Sequence, residues 1–190
     1  MFEKNKNQKT MKIKETGFEG LIEVEPEIYS DHRGYFFEAY NQAKFLSHGL
    51  CTAYIQDNQS MSSANVLRGL HFQVPPFEQG KLVRAITGRV LDVVVDLRKN
   101  QPTYGQHYKC LLDSRTSNML WIPPGFAHGF LTLEDNTIFF YKCTQLYNRE
   151  SDRSLFWNDP DLGIDWGVSN PIVSEKDSKA PRFNIFDSPF

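Results

Sequence analysis

Short segments rich in β-branched and aromatic residues, separated by turn signals, follow one another from Lys12 to about Tyr147. This spacing is typical of a β-sandwich or a closed barrel. The best helical pattern, residues 41–48, covers only about two turns. We therefore expect an all-β fold with short helices.

The segment 90–97 shows how a wall of such a barrel would be built. Alternate residues of a strand point to opposite faces, so one face is purely aliphatic and the other carries two aspartates among valines. The aliphatic face comprises Leu91, Val93, Val95 and Leu97, and the mixed face comprises Val90, Asp92, Val94 and Asp96. This pattern predicts a strand buried on both sides.

The domain organisation follows from changes in composition along the chain. Residues 1–10 are polar and predict a disordered leader, with Met11 as an alternative natural start. Residues 11–190 contain no linker or repeat and predict a single domain. After Tyr147 the chain becomes rich in loop residues with short apolar insertions. We expect this part to form a C-terminal cap over the barrel mouth.

Composition excludes several classes of function. The net charge is −2 with both signs interspersed, which argues against a nucleic-acid partner. Apolar runs stay well short of the roughly 18 to 20 residues of a membrane span, and the N-terminus is polar, so we expect a cytoplasmic protein without a membrane partner. Cys51, Cys110 and Cys143 match no disulfide or zinc pattern and predict free, buried thiols.

Two histidines, His71 and His128, lie in runs of core-type residues. Because alternate residues of a strand point to opposite faces, the side chain of His71 lies on the face opposite to that of the core residues Leu70 and Phe72. A hydrogen-bonded structural histidine also fits this local pattern. A cupin metal site requires more nitrogen ligands, but Gln73 occupies the second position of the H-x-H pair. The remaining histidines, His32, His48 and His107, lie in polar stretches, so we expect no metal.

Four cationic residues stand among apolar residues rather than in charge runs: Arg33, Arg68, Lys81 and Lys176. If the strands carrying them are neighbours, Arg68 and Lys81 converge on one anionic ligand such as a phosphate. Tyr141 and Tyr147, six residues apart, share a face if the strand runs straight. A phenol donates protons and stacks on flat bases, although both positions also fit core filling.

Nine motifs, taken together and in this order, resemble the family of dTDP-4-dehydrorhamnose 3,5-epimerases. They are DHRGYFFE at 31–38, QDN at 56–58, VLRGLHF at 66–72, QGKLV at 79–83, GRVLDVVVDLR at 88–98, PGFAHGF at 124–130, YK at 141–142, WNDP at 157–160 and SEKD at 174–177. The resemblance spans roughly residues 17–183. It implies a cupin-type jelly-roll barrel with short helices and a C-terminal cap, and an isomerase that needs no cofactor.

The resemblance also implies roles for site residues. His71 is the base, Asp177 orients it, Tyr141 is the acid on the opposite sugar face and Lys81 stabilises the enolate. The implied substrate is dTDP-4-dehydro-6-deoxy-D-glucose, epimerised at C3 and C5 to dTDP-4-dehydro-L-rhamnose. The positions that match the family's substrate-binding motifs are Arg33, Glu38, Gln56, Asp57, Asn58, Arg68, His128, Tyr147, Asp152 and Lys176.

Among these positions, Tyr147 matches the tyrosine that stacks on thymine. Asp152 stands where the family often has glutamate, and its reach is one methylene shorter. The family is homodimeric, with N-terminal strands that join the partner's sheet, so Arg33 and Glu38 are expected to serve the neighbouring subunit's site.

Other functions remain open at this point. Related barrels epimerise only C3 or only C5, or act as 3,4-ketoisomerases on a related dTDP-sugar. A non-catalytic sugar-binding cupin and a metal-dependent cupin are further alternatives. The joint presence of His71, Lys81, Tyr141 and Asp177 argues against a binding module, because binding alone requires no acid–base pair.

Overall fold

The computed structural model describes residues 11–50 and 53–190, so the expected leader and Cys51 lie outside the described residues. The described part contains two short α-helices, α1 (Gln42–Ser47) and α2 (Glu175–Ser178), and a 3-10 turn at Phe183–Ile185. None of the helices in these two stretches is long and apolar enough to cross a membrane. The strands are β1 (Lys12–Glu15), β2 (Ile22–Glu25), β3 (Ile28–Asp31), β4 (Gly34–Phe37), β5 (Gln56–Ser62), β6 (Leu67–Gln73), β7 (Lys81–Thr87), β8 (Arg89–Asp96), β9 (His107–Asp113), β10 (Met119–Ile122), β11 (Phe126–Thr132), β12 (Thr137–Cys143) and β13 (Asp152–Ser154).

The strands form two large antiparallel sheets and one separate hairpin. The six-stranded sheet has the order β1-β2-β10-β7-β12-β5, and the five-stranded sheet has the order β13-β6-β11-β8-β9. The hairpin consists of β3 and β4. Most strands that are neighbours in sequence, such as β6 and β7, lie in different sheets, whereas β8 and β9 pair within one sheet. The molecule is a jelly-roll barrel of the cupin type, which confirms the expected fold class.

The space between the two sheets holds the inner core. Val83, Leu120 and Phe139 from the six-stranded sheet pack with Val94 and Phe130 from the five-stranded sheet. Burying each of these large side chains contributes about 1.5 to 3 kcal/mol. The apolar filling closes one part of the barrel and leaves the other part for a cavity.

The outer face of the five-stranded sheet is covered by the C-terminal part of the chain. Leu70 and Val93 on the sheet pack against Leu155, Ile164 and Trp166, which lie after the last long strand. All five side chains are at most 8% exposed. The cap predicted for residues after Tyr147 is therefore present, and β8 is buried on both faces as its sequence predicted.

A shift in strand register occurs where β6 pairs with β11. His128 lies opposite His71, but Phe130 lies opposite Arg68, so β6 contains one extra residue at this point. An extra residue is the definition of a β-bulge, and it reverses the alternation of faces along the bulged strand. Arg68 and His71 consequently face the same side, although they are three residues apart.

Glycine makes this bulge sterically possible. A Cβ atom on Gly69 would lie 2.4 Å from the Cα atom of Gly129 and 3.0 Å from the backbone oxygen of His128. Gly69 also has a φ of +136°, which side chains of L-residues rarely tolerate.

We expect Gly69→Ala to lower the free energy of unfolding by about 3 kcal/mol or more, because the methyl group meets backbone and the φ value is strained. Gly163→Ala is the matched control. Gly163 also has a positive φ, +58°, but a Cβ there meets nothing within 4 Å, so its cost is about 1 kcal/mol. Chemical denaturation of both variants measures the difference. Equal costs would show that the close approach is not a constraint.

Candidate active site

A cavity of about 880 Å³ opens between the two sheets at the end of the barrel beside the C-terminal cap. Strands β5, β6, β7, β11 and β12 supply its walls, and residues 172–177 close one side. Eleven of the fourteen predicted site residues line it: Gln56, Asn58, Arg68, His71, Lys81, His128, Tyr141, Tyr147, Asp152, Lys176 and Asp177. The volume suits a ligand larger than a simple sugar.

His71 on β6 forms a close pair with Asp177 on α2. The Nε2 atom of His71 lies 2.6 Å from Oδ1 of Asp177, whose side chain is 3% exposed. Ser174 caps α2 by accepting the backbone N–H of Asp177, and the other carboxylate oxygen accepts the N–H of Gly69 at 3.4 Å. The cap thus delivers a fixed carboxylate to a histidine of the barrel.

Hydrogen bonds determine the charge of Asp177 and the tautomer of His71. Burial acts to raise the pKa of Asp177, but the hydrogen bond and charge of His71, with the donors of Ser174 and Gly69, hold that pKa below its usual range. An ionised carboxylate only accepts hydrogen bonds, so Nε2 of His71 carries the proton. Whenever the ring is neutral, the lone pair is therefore on Nδ1.

Tyr141 and Lys81 belong to the sheet that faces His71. Tyr141 on β12 lies opposite Val83 on β7, and Lys81 lies opposite Cys143, one inward position further along β12. The Nζ atom of Lys81 is 6.0 Å from the ring centroid of Tyr141. Burial raises the pKa of the Tyr141 phenol, an effect that nearby Arg68 partly opposes, so the phenol is protonated at neutral pH.

Lys81 is 9% exposed and forms no ion pair among the described residues. Burial lowers its pKa, and the carboxylates of Asp152 and Asp92 oppose this effect only from a distance. A buried ammonium group without a counter-ion is costly and strongly attracts any anion that enters the cavity. This side chain is therefore prepared for negative charge on a ligand.

Arg68 and Lys81 do converge, but not because their strands are neighbours. β6 and β7 lie in opposite sheets and meet across the cavity. The guanidinium of Arg68 donates to Ser62 Oγ at 3.3 and 3.2 Å.

Three further residues, Tyr147, Asp152 and Lys176, form what we call the mouth cluster. Asp152 accepts from the Tyr147 hydroxyl at 3.3 Å and from Lys176. The shorter aspartate therefore reaches both neighbours. β12 ends at Cys143, so Tyr147 lies beyond the strand and not on its face, yet it still lines the cavity.

A second His–Asp pair, His128 and Asp92, faces the same cavity. No role was predicted for Asp92 from the sequence. The Nε2 atom of His128 lies within hydrogen-bond distance, 2.8 Å, of Oδ2 of Asp92, and both side chains are buried. The other oxygen of Asp92 is buried and has no hydrogen-bond partner in the part of the chain that the structure describes. The signal was present in the sequence, because Asp92 lies on the mixed face of β8.

Three predicted residues, all within the described part of the chain, do not line the cavity. Arg33 and Glu38 lie on and just after the β3–β4 hairpin, where Arg33 pairs with Asp31 at 2.6 Å and Glu38 with Lys44 at 2.5 Å. Asp57 points to the other side of β5 and pairs with Lys142 at 3.0 Å.

The remaining expectations from the sequence concern metal ligands and free thiols. Within residues 11–50 and 53–190, no group of three or more His, Cys, Asp or Glu side chains is arranged to hold an ion. Cys110 and Cys143 are free and buried, as expected, and Cys51 lies outside the described residues.

We expect Lys81→Met to stabilise the protein at neutral pH by about 1 kcal/mol or more, because methionine fills the space without a buried charge. The lowered pKa means that the unfolded chain binds the proton more tightly. The penalty therefore declines as pH rises from the folded pKa toward the ordinary value of 10.5. Denaturation at pH 7 and at higher pH measures both effects.

The exposed residue Lys12 provides the control Lys12→Met, which is expected to change the free energy of unfolding by less than about 0.5 kcal/mol. A destabilised Lys81→Met protein would contradict this account.

Comparison with known proteins identifies the family. The profile described as dTDP-4-dehydrorhamnose 3,5-epimerase matches residues 15–184. The dTDP-4-dehydrorhamnose 3,5-epimerase of Methanothermobacter thermautotrophicus is 52% identical over 165 residues, which cover 85% of this chain and 89% of that protein. The crystal structure of dTDP-6-deoxy-D-glucose-3,5-epimerase from Legionella pneumophila in complex with dTDP-4-keto-L-rhamnose has a TM-score of 0.89 and 41% identity, and covers 94% of this chain and 95% of that chain.

A more distant structure comes from an enzyme with narrower specificity. The 3′-monoepimerase ChmJ from Streptomyces bikiniensis, in complex with dTDP-quinovose, has a TM-score of 0.82 and 34% identity, with coverage of 88% of this chain and 85% of that chain. The profile match and the 52% identity exceed what fold similarity alone would give. The chain belongs to the dTDP-4-dehydrorhamnose 3,5-epimerase family.

Proposed function

We propose that this protein converts dTDP-4-dehydro-6-deoxy-D-glucose to dTDP-4-dehydro-L-rhamnose by moving protons at C3 and C5. One observation carries this proposal. A histidine held by a carboxylate and a protonated tyrosine face each other from opposite sheets, His71 from one and Tyr141 from the other, across one cavity. A sugar between them would have a base on one side and an acid on the other.

His71 is the base in this scheme. Its Nε2–H is held by Asp177, so Nδ1 takes the proton from the carbon next to the C4 ketone. The resulting imidazolium lies beside an ionised carboxylate, which stabilises the positive charge as it forms. Asp177 acts through His71 and is a positioning residue.

Lys81 stabilises the enolate. Removing a proton next to a ketone shifts negative charge to the C4 oxygen, and an ammonium group in a buried site lowers the energy of that charge far more than water does. The missing counter-ion at Lys81 supports this role, because no carboxylate of residues 11–50 and 53–190 pairs with the ammonium before the substrate arrives.

Tyr141 is the acid that delivers a proton to the opposite face. Its raised pKa keeps the phenol protonated, so the proton is available when the enolate collapses. Two different groups are required because a single base would return the proton to the face from which it came.

The nucleotide part of the substrate is assigned to the rest of the cavity. Arg68 and Lys176 supply positive charge for the diphosphate. Tyr147 is 58% exposed and presents a ring at the mouth, which suits stacking on the thymine base.

Deuterium exchange tests the reaction. The protein is incubated with dTDP-4-dehydro-6-deoxy-D-glucose in deuterated water, and both carbons are followed by NMR. We expect deuterium at C3 and C5. Incorporation at only one carbon would identify a mono-epimerase, and incorporation at neither would overturn the proposal. Replacement of the base by His71→Asn should reduce exchange at both carbons by about 10²- to 10⁴-fold.

Tyr141→Phe should separate exchange from inversion. If His71 removes the proton, the variant still exchanges hydrogen for deuterium on the original face, while formation of the inverted sugar collapses. Lys81→Met should slow exchange and inversion together, by about 10²- to 10³-fold, because the first step that they share loses its stabilising charge. A Tyr141→Phe enzyme that inverts C5 at a normal rate would contradict the assignment of the acid.

We also propose a homodimer in which the β3–β4 hairpin serves the partner's site. A two-stranded hairpin is marginally stable alone, and its Tyr35 and Phe36 are 63% and 51% exposed. In the described chain β5 is an edge strand that pairs only with β12, and its Gln56 and Asn58 line the cavity. A hairpin added along this edge would bring Arg33 to the nucleotide. A cytoplasmic location is part of the same proposal.

Mixing two inactive variants tests the shared site. His71→Asn lacks the base, and Arg33→Ala lacks the residue assigned to the partner's site. In a mixed dimer one site contains both native residues, so an equal mixture that exchanges subunits should recover about a quarter of wild-type activity. No recovery after demonstrated subunit exchange would mean that Arg33 acts in its own protomer or not at all.

A further inference from the structure

The segment 145–148 connects β12 to β13 and carries Tyr147, but it belongs to no strand or helix. Its backbone groups therefore lack the regular partners that a sheet provides. An irregular segment normally loses considerable conformational entropy when a ligand fixes it. Apart from the hydrogen bond between its hydroxyl and Asp152, the position of the Tyr147 ring thus depends on what holds this backbone.

The side chains of three glutamines form hydrogen bonds with these backbone groups. Gln79 donates to the carbonyl of Gln145 at 2.7 Å. Gln56 accepts the N–H of Tyr147 at 2.8 Å. Together with Gln73 they form what we call the glutamine clamp.

Gln73 is the centre of the clamp. Its side-chain nitrogen donates to the carbonyl of Leu146 at 3.1 Å and to that of Phe77 at 2.6 Å, and its oxygen accepts the N–H of Asn148 at 2.7 Å. The side chain is 4% exposed. Both ends of the amide are thus used on the loops that border the cavity mouth, and one residue fixes the backbone on both sides of Tyr147.

The chemistry of the amide is specific to this task. Three backbone groups must be met by one donor end and one acceptor end, and glutamine provides both without charge. Glutamate would place a second acceptor against two carbonyl oxygens, and an apolar residue would leave all three groups unsatisfied.

We propose that Gln73 is a positioning residue for nucleotide binding: through the glutamine clamp it holds Tyr147 in the orientation that stacks on the base. This inference rests on the proposed function, because it requires Tyr147 to contact the nucleotide. Tyr147 is largely exposed and receives little support from side-chain packing. The clamp arranges the loop before the ligand arrives, and such preorganisation strengthens binding.

A double-mutant cycle with dTDP as the ligand tests the proposal. Calorimetry measures dTDP affinity for wild type, Gln73→Met, Tyr147→Ala and the combined variant. We expect Gln73→Met to weaken binding about tenfold, within the range of roughly 5- to 150-fold that loss of base stacking costs. In the Tyr147→Ala background the same change should cost less than about twofold, because the ring that the clamp holds is gone.

The outcomes separate the inference from the proposed function. If Tyr147→Ala binds dTDP like wild type, the stacking role itself fails and the clamp has nothing to position. If Tyr147→Ala weakens binding but Gln73→Met does not, or weakens it equally in both backgrounds, only the inference fails. Gln106→Met is the matched control, since Gln106 donates to the backbone of Pro102 away from the cavity and its loss should leave affinity unchanged.

Two further measurements exclude a purely structural effect. Steady-state kinetics of Gln73→Met should show a raised KM with kcat nearly unchanged at saturating substrate, because the reacting groups are not touched. In Gln73→Glu, dTDP affinity relative to wild type should recover as pH falls from about 8 to about 5, where a protonated carboxyl donates again. If Gln73 variants fail to fold, Gln79→Met at the less buried edge of the clamp takes their place, and wild-type affinity there would overturn the proposal.

Discussion

The contact between two glycine backbones, Gly69 on β6 and Gly129 on β11, determines the direction of every functional side chain on β6. With a regular ladder, Arg68 and His71 would point to opposite sides of the five-stranded sheet. The extra residue turns both toward the cavity, while Leu70 and Phe72 point outward. The outward residues bind the C-terminal cap, and the cap supplies Asp177 to the inward histidine. The packing of the cap and the His71–Asp177 pair therefore depend on the same register.

The barrel interior combines an apolar core with ionisable groups that water would normally solvate. Asp92, His128, Lys81 and Asp177 are all at most 9% exposed. Pairing reduces the cost for the two His–Asp pairs, whereas Lys81 relies on the stability of the surrounding sheets. The same low-polarity environment strengthens the interaction of Lys81 with a negatively charged oxygen. The stability given up at this position is what the proposed stabilisation of the enolate would use.

Much of the architecture could be predicted because it depends on local patterns. The alternation in β8, the turn before Phe126 and the short helix α1 with its cap at Asn41 are determined by neighbouring residues. The shared orientation of Arg68 and His71 could not be predicted from alternation, because the bulge depends on contact with a distant strand. The convergence of Arg68 with Lys81 likewise depends on how two sheets face each other.

The site residues divide in a similar way. Motif resemblance indicated eleven residues that line one cavity, but it assigned no task to Gln73 and none to Asp92. The sequence drew attention to Gln73 only because it occupies the position where a metal-binding cupin has its second histidine. Its hydrogen bonds reach backbone atoms 73 and 75 residues away in sequence, and no local pattern records such contacts.

The pairing of His71 with Asp177 also has a consequence for biosynthesis. The two residues are 106 positions apart, and Asp177 follows the last strand of the barrel. A growing chain can pair all of its strands while the histidine still lacks its carboxylate. Such long-range contacts form late because the entropy of closing the intervening loop must be overcome first. The histidine therefore acquires its carboxylate partner only after the cap has docked, so that the role of base proposed for it would become available only when folding is complete.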